Sequence, residues 1–206
     1  VNQLVLDLKV GNEWDRAKYI YPFVGGTATA HKWNLKDPQD TDAAYRITWG
    51  GAMTHNALGI KGVPNNGASF GNTNYNPAAE GATQAWISIY MNQNMGAGGD
   101  NPTSWYDFGG ANSSGEWGFI AGYQNKTTGY GKFGGGFKTA GITYSNGLYT
   151  GNHDGTTSKY YQLQNLLSSA VDSFLAVTID MVIGGSYRGG SVLSATGRGY
   201  GFVYFT

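Results

Sequence analysis

The chain has 206 residues, and its charged fraction of 13% is low while its aromatic fraction reaches 15%, so Asn, Ser, Thr, Gln and Gly must supply the polar surface. Thirteen Lys and Arg balance thirteen Asp and Glu, which leaves no field to steer nucleic acid or an anionic membrane. There is no cysteine, which excludes disulfides, thiolate metal sites and thiol catalysis, and no apolar run long enough for membrane insertion.

Residues 1 to 22 differ from the rest. Val1, Leu4, Val5 and Leu8 fall at helical spacing, and Trp14, Ala17 and Tyr21 continue a similar face after Gly11 and Asn12. This predicts two short helices stopped at Pro22. All five prolines lie in the first half, which leaves the second half free for uninterrupted ladders. Alternation predicts strands at Tyr45-Ile47-Trp49, at Ala85 to Met91 with Trp86, Ser88 and Tyr90 on the opposite face, and at Leu175 to Ile183. Further strands are expected at Trp117 to Ala121, Ile142 to Tyr144, Leu148 to Thr150, Lys159 to Leu163 and Gly201 to Phe205. Asn146-Gly147, Asp154-Gly155 and Gly-Gly pairs supply the turns. Gly134 to Gly136 suggests a bulge, a loop or a close backbone approach.

Many short strands without intervening long helices argue for a two-sheet antiparallel sandwich. The expected organisation is a single domain, with residues 1–44 forming a helical or irregular segment packed on the sandwich and residues 45–206 forming the sandwich itself. The chain opens at Val1 and closes on the strand pattern GYGFVYFT, as a processed piece of a longer polypeptide would.

Two stretches carry a family resemblance. KYYQLQNLLSSA (159 to 170) followed by VTIDMVIGGSYRGG (177 to 190) resembles a late hairpin and the next strand of concanavalin A-like, laminin-G-like jelly rolls, with Leu163-Gln164-Asn165 where an Asn-Gly turn is commoner. Residues 2 to 51, with YPFVGGTA, HKWNLKDP and DAAYRITWGG, and the later loop GNTNYNP, look like the opening of a tail-fibre or head-fibre protein of a tailed-phage virion. The resemblance implies an all-β jelly-roll module that is structural or adhesive and not an enzyme. It would be displayed on the virion surface, with other virion proteins and copies of itself as partners and host-surface polysaccharide as a candidate ligand.

The residues themselves show no assembled catalytic site. His31, His55 and His153 lack zinc-binding spacing and are expected in structural hydrogen bonds. Gly67-Ala68-Ser69-Phe70-Gly71 matches the nucleophile-elbow pattern, but turn formers flank it on both sides. Glu80, Glu116 and Asp107 offer no visible pair of facing acids of the kind a glycosidase needs. No cofactor is expected. A structural calcium ion, if bound, would draw on Asp100 and Asn101 or on Asn152 to Gly155, although capping of tight turns is the preferred reading of the same residues.

Sugar rings stack on exposed aromatic faces while neighbouring amides read their hydroxyls. Trp105, Tyr106, Tyr123 and Tyr130 are the candidate ligand-binding residues, because they sit among Asn, Ser, Thr and Gly. Trp117, on an alternating strand, is expected in the core. The alternative to a virion role is a carbohydrate-binding module of a secreted protein, with a glycoside hydrolase or lyase behind it.

Overall fold

In the computed structural model, residues 1–63, 69–93, 106–112, 115–120, 128–133, 138–141, 146–188, 191–193 and 199–206 are described. Helices α1 (Asn2–Val10) and α2 (Glu13–Arg16) lead into β1 (Tyr19–Tyr21), a short helix α3 (Ala28–His31) and a 3-10 turn at Asp42–Ala44. Four three-residue strands follow, β2 (Thr48–Gly50), β3 (Thr54–Asn56), β4 (Gly59–Lys61) and β5 (Phe70–Asn72). Next come β6 (Ala85–Gln93), β7 (Phe108–Asn112), β8 (Gly115–Ile120), β9 (Thr128–Phe133) and β10 (Lys138–Gly141). The remaining strands are β11 (Gly147–His153), β12 (Thr157–Gln162), β13 (Asn165–Val171), β14 (Val182–Ile183), β15 (Ser186–Arg188), β16 (Ser191–Leu193) and β17 (Gly199–Phe205).

These strands form two stacked sheets, as the alternation predicts. The first runs β13-β12-β11-β6-β17-β4-β3, with β1 also on β17. The second runs β10-β9-β8-β7-β14-β5-β2, with β15 joining β7 in parallel and β16 pairing with β15. All other described pairings are antiparallel, giving a jelly-roll-like β-sandwich.

Ile87, Ile89, Tyr149, Tyr160, Val203 and Phe205 of the first sheet meet Phe108, Trp117, Phe119, Phe133 and Ile183 of the second in one buried cluster. Each such side chain contributes about 1.5–3 kcal/mol by leaving water. Glycine is integral to this packing. A Cβ at Gly151 of β11 would lie 2.7 Å from the Phe119 ring, so the missing side chain lets an aromatic of the opposite sheet seat directly on the strand. Trp117 is fully buried and its indole N–H donates to the Leu175 carbonyl at 2.6 Å.

Three expectations are corrected. The second helix ends at Arg16, and Tyr19–Tyr21 is a strand, because its residues pair with Phe205 to Val203 and the Tyr19 ring stacks on Phe205 at 5.0 Å. The segment before residue 45 therefore supplies a strand to the first sheet besides packing on it. Tyr45 takes a left-handed φ of 55°, and of the predicted Tyr45–Trp49 strand only Thr48 and Trp49 are paired, within a strand that runs Thr48–Gly50. Leu175 to Met181 is irregular, with only Val182–Ile183 in the ladder. Its backbone bonds are spread over Phe133, Ala78, Tyr75 and Thr73, although Val177, Met181 and Ile183 point into the core as the alternation implies. Ile142 to Tyr144 and Gly134 to Gly136 lie outside the described residues.

Candidate functional site

The alternation of β6 buries Ile87 and Ile89 and turns Trp86, Ser88 and Tyr90 to the outer face of the first sheet. The register sets Thr150 and Asn152 of β11 beside Ser88 and Trp86, and Tyr161 and Lys159 of β12 beyond them. Trp86 and Tyr161 come from strands separated by β11, yet their ring centroids are 6.3 Å apart and their planes differ by 18°. The rings lean across β11 from both sides. Ser88, Thr150 and Asn152, although on an outer face, are correspondingly buried.

This polar floor is pre-organised. The Trp86 indole N–H donates to Ser88 Oγ at 3.1 Å, and the Ser88 and Thr150 hydroxyls share a bond of 2.9 Å. Tyr90 extends the aromatic row along β6 and is 44% exposed, its ring close to Gly201 of the neighbouring β17. At the other end a pocket of about 190 Å³ is lined by Arg16, Gln84, Trp86, Asn152, Asp154 and neighbouring residues. The Asn152 side-chain oxygen is buried and has no hydrogen-bond partner among the described residues. Lys159 pairs with Asp154 at 3.0 Å, so that charge is already balanced.

The N-terminal helices form the wall of this face. Leu8 and Trp14 pack with Leu35, Trp86 and Phe202 around buried Ala17, Ile20 and Tyr204. The Tyr204 hydroxyl donates to Glu13 Oε2 at 2.9 Å, tying α2 to β17. Burial raises the pKa of that hydroxyl above its ordinary value, and the Glu13 carboxylate beside it adds to the effect.

Of the four rings named from the sequence, Trp105 and Tyr123 lie outside the described residues. Tyr106 is 5% exposed: its ring lies over Gly118, where any Cβ would collide with it, and its hydroxyl bonds Glu116. It does not offer a face to solvent. Tyr130 is half-buried on β9, two residues from Lys132, which pairs with Glu116 at 3.0 Å. Tyr106 and Tyr130 thus belong to the outer face of the second sheet, opposite the Trp86 row. Polar neighbours in the sequence do not mark Trp86, Tyr90 and Tyr161 as ligand-facing, although the β6 alternation sets Trp86 and Tyr90 on the non-aliphatic face.

The acids that glycosidase chemistry would need have separate surroundings. Asp107 is buried and accepts the Tyr200 hydroxyl at 2.7 Å, Glu116 is bound to Tyr106 and Lys132, and Glu80 is 3.8 Å from Lys18. Ser69 is buried immediately before β5, so the nucleophile-elbow pattern leads into a strand where the elbow requires a helix.

The histidines form structural contacts. His153 Nδ1 accepts the Gly155 N–H at 3.0 Å, its Nε2 lies 2.7 Å from Asp172, and Ser158 donates to the same carboxylate at 3.0 Å. His31 and His55 face each other with their Nδ1 atoms 3.1 Å apart. Among the described residues no cluster of three or more His, Asp or Glu is placed to hold a metal ion. Asp154 accepts the backbone N–H groups of Thr156 and Thr157 at 3.1 and 2.8 Å, which is turn capping, and Asp100 and Asn101 lie outside the described residues.

No family model and no curated protein matches this chain. Its fold is similar to that of domain 4 of AbnA, a GH43 extracellular arabinanase from Geobacillus stearothermophilus, whose structure was solved in complex with arabinotriose. The likeness has a TM-score of 0.52 at 13% identity and covers 92% of this chain and 91% of the other.

Proposed function

We propose that this chain is a non-catalytic carbohydrate-binding module that acts outside the cell and holds a neutral polysaccharide across Trp86, Tyr161 and Tyr90. The observation that carries this reading is the pair of nearly parallel rings lying over mutually bonded hydroxyls on an open sheet face. Flat rings offer stacking surfaces to the C–H faces of successive sugars, and the polar groups at their margins can answer sugar hydroxyls. Balanced charge, in the chain as a whole and at Lys159 and Asp154, favours a neutral glycan over an acidic one. The fold neighbour supports a secreted, sugar-binding setting, since that domain was solved with arabinotriose. A virion surface, which the N-terminal resemblance implies, has no support from that comparison.

Titration calorimetry of the whole chain against arabinan, xylan, galactan and a mixed-linkage β-glucan tests this. Saturable binding to at least one is expected, with Trp86→Ala and Tyr161→Ala each weakening it about tenfold, or about 1.4 kcal/mol. Absence of binding to all four would overturn the reading. So would full affinity in both variants alongside loss in Tyr130→Ala, which would move the site to the opposite sheet.

A further inference from the structure

The outer face of the second sheet carries a recess of about 350 Å³ lined by Phe70, Asn72, Asp180 and Val182. It uses none of the residues of the Trp86 platform. Gly71 faces inward, where a Cβ would meet Trp49 and Ile47, so Phe70 and Asn72 on either side of it face outward. Asn72 is paired with Val182 of β14 on one side and with Thr48 of β2 on the other, which fixes the floor.

The polar groups are oriented before any ligand arrives. The Asn74 backbone N–H donates to Asn72 Oδ1 at 2.8 Å, which turns the Asn72 amide nitrogen toward Asp180, and Nδ2 donates to Asp180 Oδ2 at 3.3 Å. Asn74 is itself anchored by its own amide, which donates to the Arg46 carbonyl at 2.6 Å. Phe70 lies over Gly50, where any Cβ would collide with the ring, so the glycine gives the ring its seat.

We infer that this recess is a separate binding site for a single neutral sugar unit, gripped through two adjacent hydroxyls. A carboxylate has about four acceptor positions and one is taken by Asn72, so Asp180 can accept from two neighbouring O–H groups. The Asn72 amide keeps a second hydrogen to donate to a hydroxyl oxygen, and Phe70 supplies an apolar surface for a ring C–H face. A hydroxyl both donates and accepts, so it answers both groups. A metal cation would find one carboxylate beside an amide nitrogen, too few oxygens for coordination. An ammonium group would leave the amide hydrogen without an acceptor. The volume lies near the lower end of the range for ligand pockets, which suits one residue better than a chain.

The test is an amide-resolved NMR titration of the isotope-labelled whole chain with the methyl glycosides of arabinose, xylose, galactose and mannose. At least one glycoside should shift the backbone amides of residues 70–74 and 180–183. The shifts should persist in Trp86→Ala, which separates this site from the platform. Asp180→Asn and Phe70→Ala should each weaken the response about tenfold, as should a deoxy analogue lacking one of the two hydroxyls. Phe70→Ala serves as the deciding variant if Asp180→Asn does not fold. The inference is overturned if none of the four glycosides moves these amides at the highest concentration, or if the response is unchanged in the folded variants.

Discussion

Leu163 occupies the first position of the two-residue turn between β12 and β13 with φ of +56°, a region that costs a branched side chain about 1–2 kcal/mol. It is 55% exposed, so little burial offsets that cost. Leu163→Asn should raise stability by about 0.5–1 kcal/mol in chemical denaturation, because Asn adopts this conformation more readily. The His31–His55 pair makes stability depend on pH. His31 Nε2 accepts the Gly26 N–H at 3.2 Å, which leaves the hydrogen of the neutral ring on Nδ1 to bond His55. Burial, followed by the neighbouring His55, lowers His31 from 6.5 to about 4. As pH falls from 6.5 toward 4 the unfolded chain takes up this proton before the folded one does, so stability declines through that window and levels off below it. A lower urea midpoint at pH 4.5 than at pH 7 is expected, with a smaller difference in His31→Gln.

At the level of elements, α1 and α2 owe their position to few contacts, and α1 buries no residue completely. The bond from Tyr204 to Glu13 is one of the ties that hold α2. Tyr204→Phe should keep the sandwich intact while limited proteolysis within residues 1–16 becomes faster, at a cost of about 1 kcal/mol. The sequence shows β6 plainly, since aliphatic residues alternate there with Trp86, Ser88 and Tyr90. It shows the strand carrying Tyr161 nearly as well. It does not show that these strands flank β11, because sheet order is decided by contacts far apart along the chain, and the Trp86–Tyr161 pair stays hidden for that reason. Leu175 to Met181 illustrates the converse: alternation records which side chains are buried, and burial can be met by a segment whose backbone bonds are scattered over several neighbours outside any ladder. Tyr106 reads as a surface ring from its polar neighbours, yet Gly118, twelve residues later, leaves the hollow into which it sinks.

Across the whole molecule, the platform and the recess lie on opposite outer faces of the stacked sheets, so a single copy holding sugar at both would join two glycan strands or two stretches of one. Joined weak sites gain affinity through effective concentration without new contacts, which suits a protein whose charges give no long-range attraction. The strand nearest one end of the chain lies against the strand nearest the other, with Tyr19 opposite Phe205 and the Lys18 N–H donating to the Phe205 carbonyl at 2.9 Å. Because these strands are antiparallel, tension applied ahead of Lys18 and beyond Phe205 loads both at the same tip. Their bonds would then break in succession, like a zipper, where opposed pulling directions would make them resist together. A module tethered through both ends would therefore peel open under drag at its own seam, and because Thr206 exchanges backbone bonds with Trp86 at 3.0 and 3.3 Å, that opening would begin beside the sugar platform.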